Sequence, residues 1–197
     1  MVAIGTIVSM DFTHYRGYFG DRQLNIRNLD FIIEAIQIIK SKTNFKIHLT
    51  GLGSSPLTLH IAYYIGANSI DSSGHRRKAA YGKIILPERG ERYVGRGDAR
   101  FGVVHLNDDD VYTLLQCTCQ ICKTNRKLLW SDWKARAVHN KYVLEKEAEK
   151  AFSLLSTDKH AYEKYLDSIF EKSSVKALWK FIKKRVKQQT LTLYLNY

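Results

Sequence analysis

A chain of 197 residues with a formal net charge of +12 is long enough to bury one substantial core and short for two full domains. Hydrophobic residues make up 45% and aromatic residues 12% of it, which excludes the polar composition that keeps a chain disordered. No apolar run reaches the roughly 18 residues of a membrane span, and no leader pattern of basic, apolar and small-residue segments opens the chain, so the expectation is a cytoplasmic protein without a membrane partner.

MVAIGTIVSM begins with a short apolar stretch, Val2 to Val8, broken by Gly5; it reads as a buried strand running into a loop. Leu29, Ile32, Ile33, Ile36 and Ile39 then recur at helical spacing and predict an amphipathic helix. FKIHL, Phe45 to Leu49, is a second strand that ends in the turn Gly51-Leu52-Gly53. Ser55 is a good N-cap, Pro56 suits the first helical position, LTLHIAYYI continues the helix and Gly66 closes it. Asn68 to Ser72 is a third, very short strand. The order β, α, β, α, β predicts parallel strands joined by crossovers, with function at their C-terminal ends. Asp71 sits at such an end, and the tips near Gly5 and Gly51 belong to the same edge.

After Gly82 the pattern changes. KIILPERGERYVG and ARFGVVHL read as short antiparallel strands around glycine turns, followed by the acidic step Asp108, Asp109, Asp110. From Ser131 onward the chain reads mainly as helix, first SDWKARAVHNKYVLEKEAEKAF and then two shorter helices up to about Gln188. The closing LTLYLNY alternates like a strand or is a frayed terminus. The expected division is 1–82 for the βα units, 83–145 for a metal-binding subdomain and 146–197 for a basic helical tail.

The positive charge is uneven. Residues 75–100 hold eight Arg/Lys against three acids, and Lys176 to Lys187 (KALWKFIKKRVK) holds six basic residues and no acid, so a polyanion is the natural partner, with nucleic acid first. Within that last run Leu178, Trp179, Phe181 and Ile182 should pack inward, which leaves open whether its lysines contact nucleic acid or only face water. His75, Arg76, Arg77 and Lys78 crowd just past Asp71; they read either as phosphate contacts or as a solvated loop.

All three cysteines, Cys117, Cys119 and Cys122, fall inside six residues, too close to read as a disulfide framework. His139 follows Cys122 after sixteen intervening residues. Three thiolates and an imidazole suit tetrahedral zinc, and a closed four-ligand set is structural; His160 and His105 are the fallbacks for the fourth ligand. Trp130 and Trp133 near the site read as local core. Tyr63, Tyr64, Tyr112 and Tyr142 read as core or interface residues.

Several of these features occur in a telling order: a strand ending AIG, a later strand leading to GLGSSP, an Asp at the next strand tip with an Arg six residues on, then CxCxxC and a helix containing HN. Over roughly residues 2–145 the chain resembles the C-terminal half of the tRNA-guanine transglycosylase superfamily. SSGHRRKAAYGKIILPERGERYV looks most like its DNA-modifying branch, the DNA 7-deazaguanine transglycosylases. The resemblance implies an α/β fold: the last three βα units of a (β/α)8 TIM barrel, followed by a zinc-binding subdomain and C-terminal helices. It implies exchange of guanine in a nucleic acid for a 7-deazaguanine through a covalent ribosyl intermediate. Carried over, Asp71 matches the nucleophile, Gly5 and Thr6 the base-binding glycine pair, and Asp11 an acid supporting that loop. Arg77 matches a nucleic-acid contact, and Cys117, Cys119, Cys122 and His139 match the zinc ligands.

That reading explains the crowding at Asp71, because a carboxylate can attack an anomeric carbon and stabilise an oxocarbenium-like state while cations hold the flanking phosphates. The base must also be turned out of its stack. Three departures stand out: Thr6 replaces the second glycine, Ala80 occupies the place of a second arginine, and the stretch from the cysteines to His139 is shorter than in the tRNA enzymes. Met1 begins at what resembles strand six, so the expected partner is a protein supplying the earlier units and their acid–base aspartate. DNA is favoured over tRNA because no RNA-binding domain is appended. The alternatives are a tRNA-guanine transglycosylase subunit of the queuine or archaeosine type, a non-catalytic zinc-stabilised nucleic-acid-binding subunit, and a decaying gene fragment.

Overall fold

A computed structural model describes residues 1–4, 28–95, 103–171, 173 and 176–195. Among these residues it is α/β and mostly helical, with two small sheets and a Cys3His cluster. Two compact units can be distinguished, one formed by Met1–Leu52, Ile61–Asp71 and Glu163–Tyr197, the other by Gly53–His60 and Ser72–Tyr162.

In the first unit β1 (Val2–Ile4), β2 (Ile47–Leu49) and β3 (Ser69–Ile70) form a parallel sheet in chain order. The helix α1 (Asn28–Lys42) lies between β1 and β2 in the chain. Its residues Leu29, Ile32, Ile33 and Ile36 are fully buried, as are Ile47 and Leu49 of β2, the pattern their periodicities predict. The helix α2 (Pro56–Ile65) starts in the second unit and ends in the first. At its start the Ser55 hydroxyl accepts from the Thr58 amide at 3.3 Å, as an N-cap should. At its end Gly66 takes φ +113°, and an added Cβ would meet the Lys40 side chain, so only glycine fits there.

The C-terminal part of the first unit is held by ion pairs between α8 (Lys159–Glu171) and α9 (Lys176–Leu195). Lys183 reaches Asp167 at 2.8 Å and Glu163 at 3.1 Å, Lys187 reaches Glu163 at 2.9 Å, and Arg185 reaches Asp30 of α1 at 2.8 Å. Trp179 is buried, stacks on Phe170 at 5.1 Å and donates its indole N–H to Asp167 at 2.7 Å. Trp179 and Ile182 face inward as expected, whereas Leu178 and Phe181 are only half-buried. The alternation of LTLYLNY does not make a strand: α9 runs on to Leu195, since extending an established helix costs far less than nucleating a new element.

The second unit is built on α7 (Trp133–Thr157), along which α3 (Gly74–Ala80) and β4 (Lys83–Leu86) pack. HRRK therefore lies on a helix and not in a loop. Gly74 opens α3 at a close approach, where a Cβ would lie 2.8 Å from the Ser54 backbone. β4 pairs with β5 (Gly90–Tyr93) as an antiparallel hairpin. Part of ARFGVVHL lies outside the described residues, and the rest contributes one bridge, Tyr93 to His105, which is parallel. The acidic step opens α4 (Asp108–Leu115) in a capping box between Asn107 and Asp110.

Asp110 is completely buried and binds Arg92 Nε at 2.5 Å and Arg89 Nη1 at 3.1 Å, tying α4 to the hairpin. Burial opposes its charge, but hydrogen bonds from Arg92, the Asn107 amide and Arg89 hold its carboxyl below the usual carboxylate range. A carboxyl lower in the folded than in the unfolded chain contributes stability that is present above an unfolded value of about 4 and lost as pH falls through the depressed one. Asp110→Asn should therefore cost about 2 kcal/mol at pH 7 in urea unfolding, with the gap to wild type closing below roughly pH 3. A gap that persists undiminished at that pH would mean the loss comes from packing and not from the charge.

Candidate metal centre and carboxylate site

Cys117 follows α4, Cys119 caps α5 (Gln120–Asn125) and Cys122 lies in that helix; His139 stands on α7, which begins after α6 (Leu128–Ser131). The Cys119 sulfur accepts the Cys122 amide at 3.3 Å, so the tight turn of CTCQIC aims its thiols at one point. His139 Nδ1 lies 3.5, 3.6 and 3.5 Å from the sulfurs of Cys117, Cys119 and Cys122. With Zn–S near 2.3 Å and Zn–N near 2.05 Å, tetrahedral geometry separates sulfur from nitrogen by roughly 3.55 Å. All four ligand atoms fall within 4.8 Å of one another. They are positioned to bind a metal ion, and the set fits a structural zinc. Of the three candidate histidines, His139 is the one positioned as the fourth ligand: His105 packs on the Tyr93 ring and His160 is exposed.

The proximity of these groups perturbs the protonation of Cys117, Cys122 and His139. A hydrogen bond from the Cys122 thiol pulls Cys117 down to about 4, and the same bond pushes Cys122 up. Burial opposes charge on His139, yet hydrogen bonding with Cys117 and Cys119 raises it to about 9. The thiols cannot all ionise side by side without a cation to replace their protons.

His139 is fixed from its far side as well. Its Nε2–H donates to the Ile85 carbonyl of β4 at 3.0 Å, which leaves Nδ1 for the metal. The next residue, Asn140, is fully buried; its Oδ1 accepts the Ile85 amide at 2.7 Å, and its Nδ2 donates to the Lys83 and His75 carbonyls, each at 3.1 Å. Two adjacent side chains thus satisfy the free edge of β4 in place of a third strand. Below them lies an apolar cluster of Ile84, Leu86, Val94, Leu114, Cys119, Cys122 and Leu129. Arg136 adds a third clamp, donating to the Ala79 and Leu129 carbonyls at 2.8 and 3.0 Å.

Asp71 follows β3 and ends the second segment of the first unit. Its Oδ1 accepts the Gly51 amide at 2.8 Å, its Oδ2 lies 3.7 Å from His48 Nε2, and its side chain is 62% exposed. The parallel ladder continues past β3, because the Asp71 amide donates to Leu49 and the Asp71 carbonyl accepts from Gly51. The carboxylate therefore stands at the C-terminal edge of the sheet. Gly5, Thr6 and Asp11 lie outside the described residues.

In the second unit α3 carries the basic run. Arg76 and Arg77 are exposed and make no ion pair among the described residues. Lys78 is turned to Glu91 at 3.1 Å, with burial lowering its pKa, and the His75 ring donates back to the Ser72 carbonyl at 3.2 Å. Trp130 and Trp133 are not core: they are 46% and 43% exposed, and Tyr112 is 67% exposed. Tyr63 and Tyr64 are buried, and Tyr142 is half-buried against the apolar cluster.

Two arrangements escape the sequence. Asn140 was visible only as half of an HN pair, with nothing to mark it as a clamp. His60 is buried between Glu147 at 2.7 Å and the Tyr162 hydroxyl at 2.8 Å, an array closed to substrate that satisfies buried polar groups. No helix among the described residues is long and apolar enough to cross a membrane. Neither the protein-family models nor the curated proteins include a match to this chain.

The geometry of the metal centre sets two expectations. Titration with Co2+ should give one equivalent bound with thiolate charge-transfer absorption, and Cys119→Ser or His139→Ala should weaken binding at least about 100-fold. Asn140→Ala should keep the metal but destabilise the chain by about 2 kcal/mol, because it orphans one buried amide and two carbonyls; equal stability in thermal unfolding would refute the clamp.

Proposed function

We propose that this chain is the nucleophile-bearing part of a base-exchange transglycosylase that replaces guanine in a nucleic acid, DNA in preference to tRNA, with a 7-deazaguanine. The observation that carries the reading is the exposed Asp71 carboxylate at the C-terminal edge of a parallel sheet, with one oxygen held by the Gly51 amide. The order of motifs from that edge to the Cys3His cluster supports it. In this reading β1 to β3 are the last three strands of a TIM barrel, the bound metal is structural zinc, and a protein partner supplies the remaining units with their acid–base group.

Asp71 attacks C1′ of a flipped-out nucleotide as the glycosidic C–N bond breaks, and the bonding pair leaves on guanine, which takes a proton from the partner's acid. The incoming deazaguanine gives up its ring proton to the same group, attacks C1′ and returns Asp71 to the carboxylate form. Gly5, Thr6 and Asp11 would hold the base, and Arg76 and Arg77 the phosphates. Cys117, Cys119, Cys122 and His139 would hold a zinc whose contribution would be structural, anchoring the subdomain that carries the arginines.

The chain isolated from its own cells with its associated proteins should incorporate labelled guanine into DNA or tRNA, and Asp71→Asn should lower the rate at least about 1,000-fold. Exchange that survives Asp71→Asn would sink the assignment.

A second reading, a non-catalytic zinc-stabilised nucleic-acid-binding subunit, is favoured by the exposed Arg76 and Arg77. Changing both to alanine should reduce the salt slope of DNA binding by about 2. Lys183→Ala should leave that slope unchanged, because Lys183 is occupied by Glu163 and Asp167. Under this reading Asp71→Asn changes nothing.

A further inference from the structure

β2 carries His48 between two fully buried residues, Ile47 and Leu49, and pairs it with Ser69 of β3. The ring is held at two points. Nδ1 lies 2.8 Å from the Ser69 hydroxyl, and Nε2 lies 3.7 Å from Asp71 Oδ2, while the His48 side chain is only 20% exposed. Ser69 and Asp71 are two residues apart, which places them on the same side of the strand and its extension. An imidazole lone pair aimed at a carboxylate is repelled, so Nε2 carries the hydrogen and Nδ1 accepts from the serine hydroxyl.

The geometry points to His48 as a positioning residue for Asp71, an inference that rests on reading Asp71 as the nucleophile. Gly51 fixes one carboxylate oxygen and His48 faces the other, so rotation of the carboxylate is restricted from both sides while its outer face stays open. At 3.7 Å the contact is longer than a hydrogen bond; contacts of this kind tighten when substrate docks. His48 also acts differently on the two halves of the exchange. When the ester between Asp71 and the sugar breaks, the electron pair of that C–O bond returns to the carboxylate, and a donor already facing Oδ2 stabilises the charge as it appears. No proton moves to or from His48 in either half.

The test uses the complex isolated from its own cells, labelled guanine and a DNA or tRNA substrate. His48→Leu should lower the exchange rate roughly 10- to 100-fold with KM for the nucleic acid unchanged, and the covalent protein–nucleic acid adduct should accumulate on a denaturing gel. His48→Gln, whose amide nitrogen stands near the place of Nε2, should restore the rate to within about 3-fold of wild type. Loss of exchange in Asp71→Asn with wild-type kinetics in His48→Leu would overturn this inference alone, as would equal impairment in the leucine and glutamine variants. Exchange that survives Asp71→Asn would overturn the functional reading beneath it. Independently of activity, long-range 1H–15N spectra of the full chain should show the Nε2–H tautomer of His48; the Nδ1–H tautomer would overturn the inference.

Discussion

The second unit depends on one imidazole ring gripped from both sides. His139 offers Nδ1 to three thiols and gives its Nε2 hydrogen to Ile85, while its chain neighbour Asn140 takes the Ile85 amide. A two-stranded hairpin is marginal on its own, and its unpaired edge is a liability. Here that edge is closed by side chains of α7, and their position is fixed in turn by the metal ligands. Cysteine cluster, hairpin and helix therefore form one device, and the free energy of binding an ion at that cluster would be available to hold the fold.

The charge of the chain is spent unevenly. Asp110 engages Arg89 and Arg92, Glu91 engages Lys78 and Lys83, and Glu163 and Asp167 engage Lys183 and Lys187. Much of the basic surface suggested by composition is therefore internal wiring. On α9, the richest in lysine by sequence, Lys176, Lys183 and Lys187 pair with α8 and Arg185 with Asp30 of α1, whereas Lys180 and Lys184, like Arg76 and Arg77 on the short helix α3, are exposed and make no ion pair among the described residues. Net charge identifies a class of partner, but only the pairing says which cations remain available to it.

Local signals made much of this legible. Apolar periodicity and the Ser55, Pro56 and Gly66 punctuation located α1, α2 and the three parallel strands, and the spacing of three cysteines pointed to the cluster that the structure positions to bind a metal ion. His139, and not His105 or His160, is the histidine that the structure brings to the three cysteines, from the second turn of α7. What escaped depends on chain positions far apart. Asn140 clamps groups 55 and 57 residues away, and His60 meets residues 87 and 102 positions distant. The HRRK run gave a charge signal strong enough to mask its helical one. Trp130 and Trp133 read as core because large aromatics usually are, yet the core beneath the Cys3His cluster is filled by smaller aliphatic side chains and the cysteines themselves.

The two acids Asp110 and Asp71 show how structure separates a structural carboxylate from an available one. Asp110 has both oxygens engaged by guanidinium and amide groups and no surface left, so any new partner must displace an existing one. Asp71 has one oxygen on a backbone amide, the other facing an imidazole at a distance that still allows approach, and most of its side chain in solvent. Burying and saturating a carboxylate stabilises a fold but leaves it nothing with which to attack. Orienting a carboxylate with few partners gives up that stability and keeps a lone pair directed outward, which is what the nucleophilic role proposed for Asp71 would require.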